Sequence, residues 1–142
     1  MTEIKKLGQV PAETIGPSAS ILTGLLRRGQ VLGISAPRRS LKTSIVISLA
    51  LSLAQGSNWL EWKSKRAFNV LYINTNHKEN DCFSKFMQIA QLLEVEQKDL
   101  DNISILTLPK STALENLVKV VKDKVTSDTF QVVIIDSIDN LK

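Results

Sequence analysis

A short segment in the first third of the chain combines residue types that bind phosphate. Residues 36–43 read Ala-Pro-Arg-Arg-Ser-Leu-Lys-Thr, and the final Lys-Thr pair ends the phosphate-loop pattern G-x-x-x-x-G-K-[ST]. In that pattern the lysine reaches the outer phosphates of a nucleotide, backbone N–H groups surround the phosphates, and the hydroxyl holds magnesium. The residues predicted to bind a nucleotide are Ala36, Arg38, Arg39, Ser40, Leu41, Lys42, Thr43 and Ser44, and Thr43 is also predicted to hold the metal.

The segment departs from the pattern at both glycines. Ala36 replaces the first, which is a small change, and Leu41 replaces the second and puts a branched side chain beside Lys42. A left-handed backbone at Leu41 would add strain of about 1–2 kcal/mol. Arg38 and Arg39 bring positive charge that offsets part of the loss. The alternative interpretation is that Arg38, Arg39 and Lys42 form only a solvated basic turn.

The second candidate group is a carboxylate at the end of an apolar run. Four apolar residues, 132–135, precede Asp136, and an aspartate in this position holds magnesium through water in phosphate-loop proteins. A buried strand that ends at a turn-capping aspartate has the same pattern. Because the run follows the Lys-Thr pair with further apolar runs between them, Asp136 is predicted to be a metal ligand with Thr43. Asp139, beyond the run, is a weaker candidate.

Alternating apolar runs and helical patterns must position these groups. Strands are predicted at 31–35, 70–74, 103–106 and 132–136, with helices at 43–54, from 81 to 93 and from 114 to 125. Continuous apolar strands that alternate with helices predict a parallel sheet covered on both faces. Residues 1–20 are predicted to be an irregular arm, residues 21–26 a short helix, and residues 21–142 a single domain.

Length and composition restrict the possible class of protein. The chain has 142 residues, one cysteine, one histidine and a net charge of +4, so it is predicted to be one domain with neither a disulfide nor a structural zinc site. The mild positive charge permits DNA as a partner without requiring it. No segment reaches the ~20 apolar residues that cross a bilayer, so the sequence predicts no membrane partner and a cytoplasmic location.

The order and spacing of these segments resemble one family. Residues 25–32 leading into the loop, a helix that closes on Gln55-Gly56, and the runs at 70–74 and 132–136 are similar to the RecA-like ATPases of the plasmid replication helicase RepA family. The resemblance covers residues 21–141. It implies an α/β, three-layer RecA-like P-loop NTPase fold with a mainly parallel sheet, incomplete at the C-terminus, together with ATP and Mg²⁺ as cofactors, ring or filament assembly, and work on DNA in replication or recombination.

Two departures from the family concern hydrolysis. Asn76 stands where family members commonly carry a glutamate, and an amide cannot act as a general base; His77 or Glu79 would have to replace it. The sequence also ends six residues after Asp136, before the strand that lies between the Asp136 strand and the phosphate-loop strand. This predicts a fragment, a truncation, or a remnant that closes its sheet by dimerisation or with its N-terminal arm.

Two functions are therefore open. The first is the ATP-binding domain of a RecA/RepA-like ATPase that acts in DNA replication or recombination and does not hydrolyse ATP as this chain alone, with a homo-oligomer or the remainder of a longer chain as partner. The second is a non-enzymatic relative that serves as a DNA-binding or protein-interaction module. The missing glycines, Asn76 and the basic residues favour it. Trp59 and Trp62 could stack on bases, but packing on the sheet edge or on a partner is the favoured interpretation of these two residues. No catalytic residue is assigned.

Overall fold

The computed structural model describes residues 4, 6–9, 20–37, 41–125 and 129–138. A 3-10 turn covers Leu7–Gln9. The strands are β1 (Ser20–Thr23), β2 (Leu26–Arg27), β3 (Lys63–Ser64), β4 (Val70–Asn74), β5 (Ile103–Thr107) and β6 (Val132–Asp136), and the helices are α1 (Lys42–Gln55), α2 (Glu79–Leu92), α3 (Gln97–Leu100) and α4 (Leu114–Val125).

The central sheet contains three parallel strands in the order β5-β4-β6. All five residues of β4 are buried, because it has a neighbouring strand on each side and helices on each face. The register aligns Asn74 with Thr107 on β5 and with Asp136 on β6. Strand residues in register point to the same face, so these three polar residues form one row at the carboxyl end of the sheet. The predicted parallel α/β sheet is confirmed for these strands.

Helices cover the two faces of this sheet. Helix α1 contacts all three strands and also packs on α2 and α3, and the core on this side includes Ile47, Tyr72 and Phe86. On the other face, Leu117 of α4 packs with Leu71 and Ile73 of β4. Residues 46, 47 and 49–54 of α1 are all buried, which agrees with the prediction of a helix that is apolar almost all round.

A glycine ends α1 and turns the chain towards β3. Gly56 has a φ of +77° and its N–H donates to the Ser52 carbonyl at 2.9 Å. A Cβ at this position would lie 2.9 Å from the backbone nitrogen of Ala67, a contact that real side chains do not make. Both the left-handed conformation and the close approach therefore require glycine here.

The predicted strand at 31–35 is not formed. These residues have no regular structure, and Val31 is 96% exposed. Among the described residues no strand lies beside this segment. An isolated strand would leave its N–H and C=O groups without partners, so the apolar pattern alone does not make it a buried strand. The prediction of the strand before α1 is wrong in this structure.

The predicted helix at 21–26 is replaced by a hairpin. Strands β1 and β2 are antiparallel, and Gly24 between them has a φ of +88°. Strand β3 pairs with the other edge of β1, which gives a second, antiparallel sheet in the order β2-β1-β3. Leu22 and Leu26 are buried in the core around α1. Burial of these two leucines by a tight turn outweighs the helical tendency of the segment.

Candidate functional site

The first turn of α1 is the part of the predicted phosphate site that the structure describes best. The helix begins at Lys42, and the Leu41 carbonyl accepts the first helical hydrogen bond from Ile45 at 2.9 Å. Among the described residues no side chain caps this end, and the first turn contains no acidic residue. The N–H groups of Thr43 and Ser44 have no intrahelical acceptor, and the first turn itself places no carboxylate at the positive end of the helix dipole.

The residues before α1 are described in part. Ala36 and Pro37 are exposed and irregular, whereas Arg38, Arg39 and Ser40 lie outside the described residues. Leu41 has a φ of −83°, so the left-handed strain considered for this position does not arise. Its side chain is 73% exposed.

Asp136 occupies a buried position at the carboxyl end of β6. Only 2% of the residue is exposed, and its Oδ2 accepts a hydrogen bond of 2.6 Å from the Tyr72 hydroxyl. Burial, this hydrogen bond and the negative charge of Asp136 raise the pKa of Tyr72 far above its ordinary value, so the phenol stays protonated and donates. The Tyr72 ring is fixed by an edge-on contact with Phe86 at 4.8 Å between centroids.

Hydrogen bonds join the residues that follow β4 to the residues at the end of β6 and after it. The Thr75 N–H donates to the Asp136 carbonyl at 2.9 Å. The Thr75 hydroxyl donates to the Ser137 carbonyl at 2.6 Å and accepts from the Ser137 N–H at 3.0 Å. Both residues are buried. These three bonds hold the backbone on each side of Asp136 to β4, so its carboxylate has a defined position.

The Asn74 side chain organises the loop that contains Asn76 and His77. Its amide oxygen accepts from the N–H groups of Asn76 at 3.2 Å and His77 at 3.0 Å, and its amide nitrogen donates to the His77 carbonyl at 2.7 Å. Asn76 and His77 are thus held at the carboxyl end of β4. The described part of this loop provides an amide and an imidazole, and no carboxylate.

Two further titratable groups lie near Asp136. Partial burial and then Lys85 lower the pKa of His77, although Asp136 and Asp81 oppose the effect. Burial, followed by the charge of Asp136, raises the pKa of the Cys82 thiol to about 11. At neutral pH His77 is therefore neutral and Cys82 is a thiol.

Sequence reasoning found Asp136 but missed the residues that hold it. Tyr72 was predicted only as part of an apolar strand, and Thr75 was not considered. One signal was available for Tyr72: a phenol in the middle of a buried strand must find a hydrogen-bond partner. Thr75 gave no comparable signal, because its bonds depend on which strand lies beside β4.

The parallel sheet, the helix that begins at Lys42 and the buried carboxylate at the end of β6 define an ATPase-like α/β nucleotide-binding domain. A family model described as an AAA domain matches residues 6–142. Because the match covers almost the whole chain, the protein belongs to the AAA domain family.

No curated protein and no solved structure matches the chain significantly. Among the described residues, no helix combines the length and apolar character that crossing a membrane requires.

Proposed function

We propose that the protein binds the triphosphate of ATP with Mg²⁺ at the N-terminus of α1 and that this chain alone does not hydrolyse it. The observation that carries the proposal is the placement of α1. The helix begins at Lys42 without a cap and contacts β6, the strand that ends at the buried Asp136. A helix N-terminus that carries a lysine favours phosphate, and hydroxyl and carboxylate oxygens are ligands that magnesium prefers.

Each residue then has a defined role. The N–H groups of Thr43 and Ser44 bind phosphate oxygens, and the Lys42 ammonium reaches the outer phosphates. The Thr43 hydroxyl and Asp136 hold magnesium, which neutralises phosphate charge when bound. Because Tyr72 occupies Oδ2 of Asp136, Oδ1 is the oxygen that would hold the ion through water.

The same region supports the proposal that hydrolysis is absent. Asn76 cannot accept a proton from an attacking water. Its neighbour His77 has a lowered pKa because of burial and nearby lysine charge, which makes the imidazole a weaker base. Asn74 fixes the backbone of both residues by hydrogen bonds of 2.7–3.2 Å, so neither moves freely into a catalytic position.

The finer family assignment is part of this proposal. We propose that the domain has a three-layer RecA-like arrangement of the RepA type. We also propose that the protein is cytoplasmic and acts on DNA in replication or recombination, as a homo-oligomer or with the remainder of a longer chain. Support comes from β6, whose edge away from β4 has no strand beside it within the described residues. Exposed cations at Lys63 and Arg66 support DNA as a partner.

One observation weakens the non-enzymatic alternative. Trp59 is 7% exposed, its indole N–H donates to the Ser48 hydroxyl at 3.1 Å, and its ring stacks on Trp62 at 5.6 Å. It therefore packs in the core rather than presenting a face to a nucleic-acid base. The missing glycines, Asn76 and the basic residues still support that alternative.

A calorimetric titration of the full chain with ATP tests the proposal. We expect magnesium-dependent binding that Lys42→Ala weakens roughly tenfold or more, because a charge-assisted contact to phosphate is lost. Lys119→Ala, which removes an exposed lysine from α4, is the matched control and should bind ATP normally. No phosphate release is expected from the bound complex. Absence of ATP binding at millimolar concentration would refute the proposal, and sustained turnover would refute the claim about hydrolysis.

A further inference from the structure

A cleft lies at the carboxyl ends of β4 and β5, away from the residues assigned to ATP. The loop after β4 and the loop after β5 line it, and its volume is about 350 Å³. We call it the β4–β5 cleft. Ligands of open parallel sheets bind at this edge of the strands, and the volume is within the usual range for a small-molecule site.

The lining of the β4–β5 cleft is mainly apolar, and its charged residues are two lysines. Lys78 and Lys110 both line it and are exposed. Within the described part of the chain neither ammonium has a carboxylate within 4.0 Å; the ion pair seen there joins Lys98 and Glu96. Lysines that face one cleft repel each other unless an anion lies between them.

A buried hydroxyl adds a second, independent observation. Among the described residues, the Oγ1 atom of Thr107 is the buried side-chain polar atom without a hydrogen-bond partner, and Thr107 lines the β4–β5 cleft. Buried polar atoms are nearly always hydrogen-bonded, since an unsatisfied one costs about 1–3 kcal/mol. On the neighbouring strand end, by contrast, the Thr75 hydroxyl makes two hydrogen bonds.

We propose that the β4–β5 cleft is a second phosphate site, in which Lys78, Lys110 and the Thr107 hydroxyl bind one phosphate group of a ligand. Three donors, two from loops and one from the end of β5, suit a tetrahedral group with at least three acceptor oxygens better than a planar carboxylate with two. The site is distinct from the one at α1, because β4 lies between β5 and β6. The ends of those two strands are about 10 Å apart at the usual strand spacing, and Asp136 is on the far one.

The charges around His77, on one side of the cleft, are of both signs. Lys85 and Lys110 act to lower the pKa of the imidazole, whereas Asp136 and Asp81 act to raise it. The carboxylates Glu79 and Asp81 in the first turn of α2 are exposed, and water screens their repulsion of a bound anion.

Backbone amide NMR spectra of the full chain, titrated with inorganic phosphate, test the proposal. We expect saturable shifts at Thr107, Lys110 and His77. Lys110→Gln should weaken phosphate binding about twofold to fivefold, as for an exposed ion pair, and Thr107→Val should weaken it by a similar factor through loss of one hydrogen bond. Lys119→Gln is the control, because it removes the same charge from a lysine outside the cleft, and it should not change phosphate binding.

The Thr107→Val variant also distinguishes a loss of phosphate binding from a loss of stability. Since the hydroxyl has no partner in the free protein, the variant should be as stable as the original chain or more stable while it binds phosphate less well. The Lys42→Ala variant should keep the shifts in the β4–β5 cleft, so this test does not depend on whether ATP binds at α1.

The source of the phosphate is distinguished by a second titration with a single-stranded oligothymidylate. If it shifts the same amides at lower concentration than inorganic phosphate does, the ligand is a nucleic-acid backbone; shifts with inorganic phosphate alone identify a free phosphate. Acetate should be much the weaker ligand. Equal binding of acetate, equal weakening by Lys119→Gln, or no saturable shift at millimolar phosphate would each overturn the proposal.

Discussion

Two five-residue segments with similar apolar sequences differ in structure: one is a buried strand and the other has no regular structure. Residues 31–35 read Val-Leu-Gly-Ile-Ser and residues 70–74 read Val-Leu-Tyr-Ile-Asn. The second is β4, fully buried in the middle of the sheet, whereas the first is irregular and its Val31 is 96% exposed. The difference lies in their neighbours, since β4 pairs with β5 and β6 and the described residues provide no strand for 31–35.

An apolar run is therefore necessary for a buried strand but not sufficient to form one. Burying a strand removes its backbone groups from water, so each N–H and C=O must find a partner. Strand β4 finds them on both edges. Without them, residues 31–35 leave Val31 in solvent while Leu32 packs partly against the core. An exposed apolar side chain costs less than buried backbone groups without partners.

The largest expected effect contrasts one apolar residue from each segment. Ile73→Ala in β4 removes a fully buried side chain and should lower the free energy of unfolding by about 2–5 kcal/mol. Val31→Ala, at a position that is 96% exposed, should change it by less than about 0.5 kcal/mol. Urea denaturation of the two variants measures both values. Similar losses would mean that residues 31–35 are packed in solution, and the comparison would fail.

Thiol reactivity gives a second contrast. Cys82 lies in α2 beside β4, is buried, and has a pKa raised by burial to about 11. A cysteine in place of Val31 is exposed and keeps an ordinary pKa. At pH 8 the introduced thiol in Val31→Cys should react with a maleimide roughly 100-fold faster than Cys82, because the thiolate is the nucleophile.

The relevant measurement is the labelling rate of each cysteine, followed by peptide mass spectrometry. The Cys82→Ala, Val31→Cys double variant is the control for assignment. Comparable rates at the two sites would contradict the difference in burial on which the comparison depends.

The smallest effect concerns the polar atoms of the two segments. Tyr72→Phe keeps the ring against Phe86 but removes the donor to the buried Asp136 carboxylate, so it should cost about 1–3 kcal/mol. Ser35→Ala in the exposed segment should cost less than about 0.5 kcal/mol. A double-mutant cycle of Tyr72→Phe with Asp136→Ala, which leaves no acceptor at position 136, isolates the pair, and additive effects would show that the hydrogen bond contributes little.

Much of the parallel sheet was predictable from the sequence. The runs at 70–74, 103–106 and 132–136 have lengths and residue types typical of buried strands, and each is a strand in the structure within one residue of the prediction. The apolar residues of 43–54 predict helix α1, and Gly56 predicts where it ends. The position of Asp136 at the end of its strand followed from the pattern of four apolar residues and a carboxylate.

The N-terminal third was less predictable because its structure depends on distant residues. Residues 21–26 form a hairpin whose first strand pairs with Lys63–Ser64, far along the chain. For Trp59 the sequence favours packing over base stacking but does not give the contact, which is made by its indole with Ser48 on α1 while the ring is buried. Neither contact leaves a local signal, because both partners are set by the packing of this sheet against α1.

By itself, the sequence determined strands β4, β5 and β6 and helices α1, α2 and α4, and it placed Lys42, Thr43 and Asp136 at the ends of those elements. Local apolar patterns and glycine turn signals carry that information, because they act over a few residues. Only the tertiary structure decided that residues 31–35 form no strand, that Tyr72 holds Asp136, and that the Thr107 hydroxyl has no partner. Each of these depends on which strand lies beside which, and strand order is fixed by packing across the whole domain rather than by any one segment.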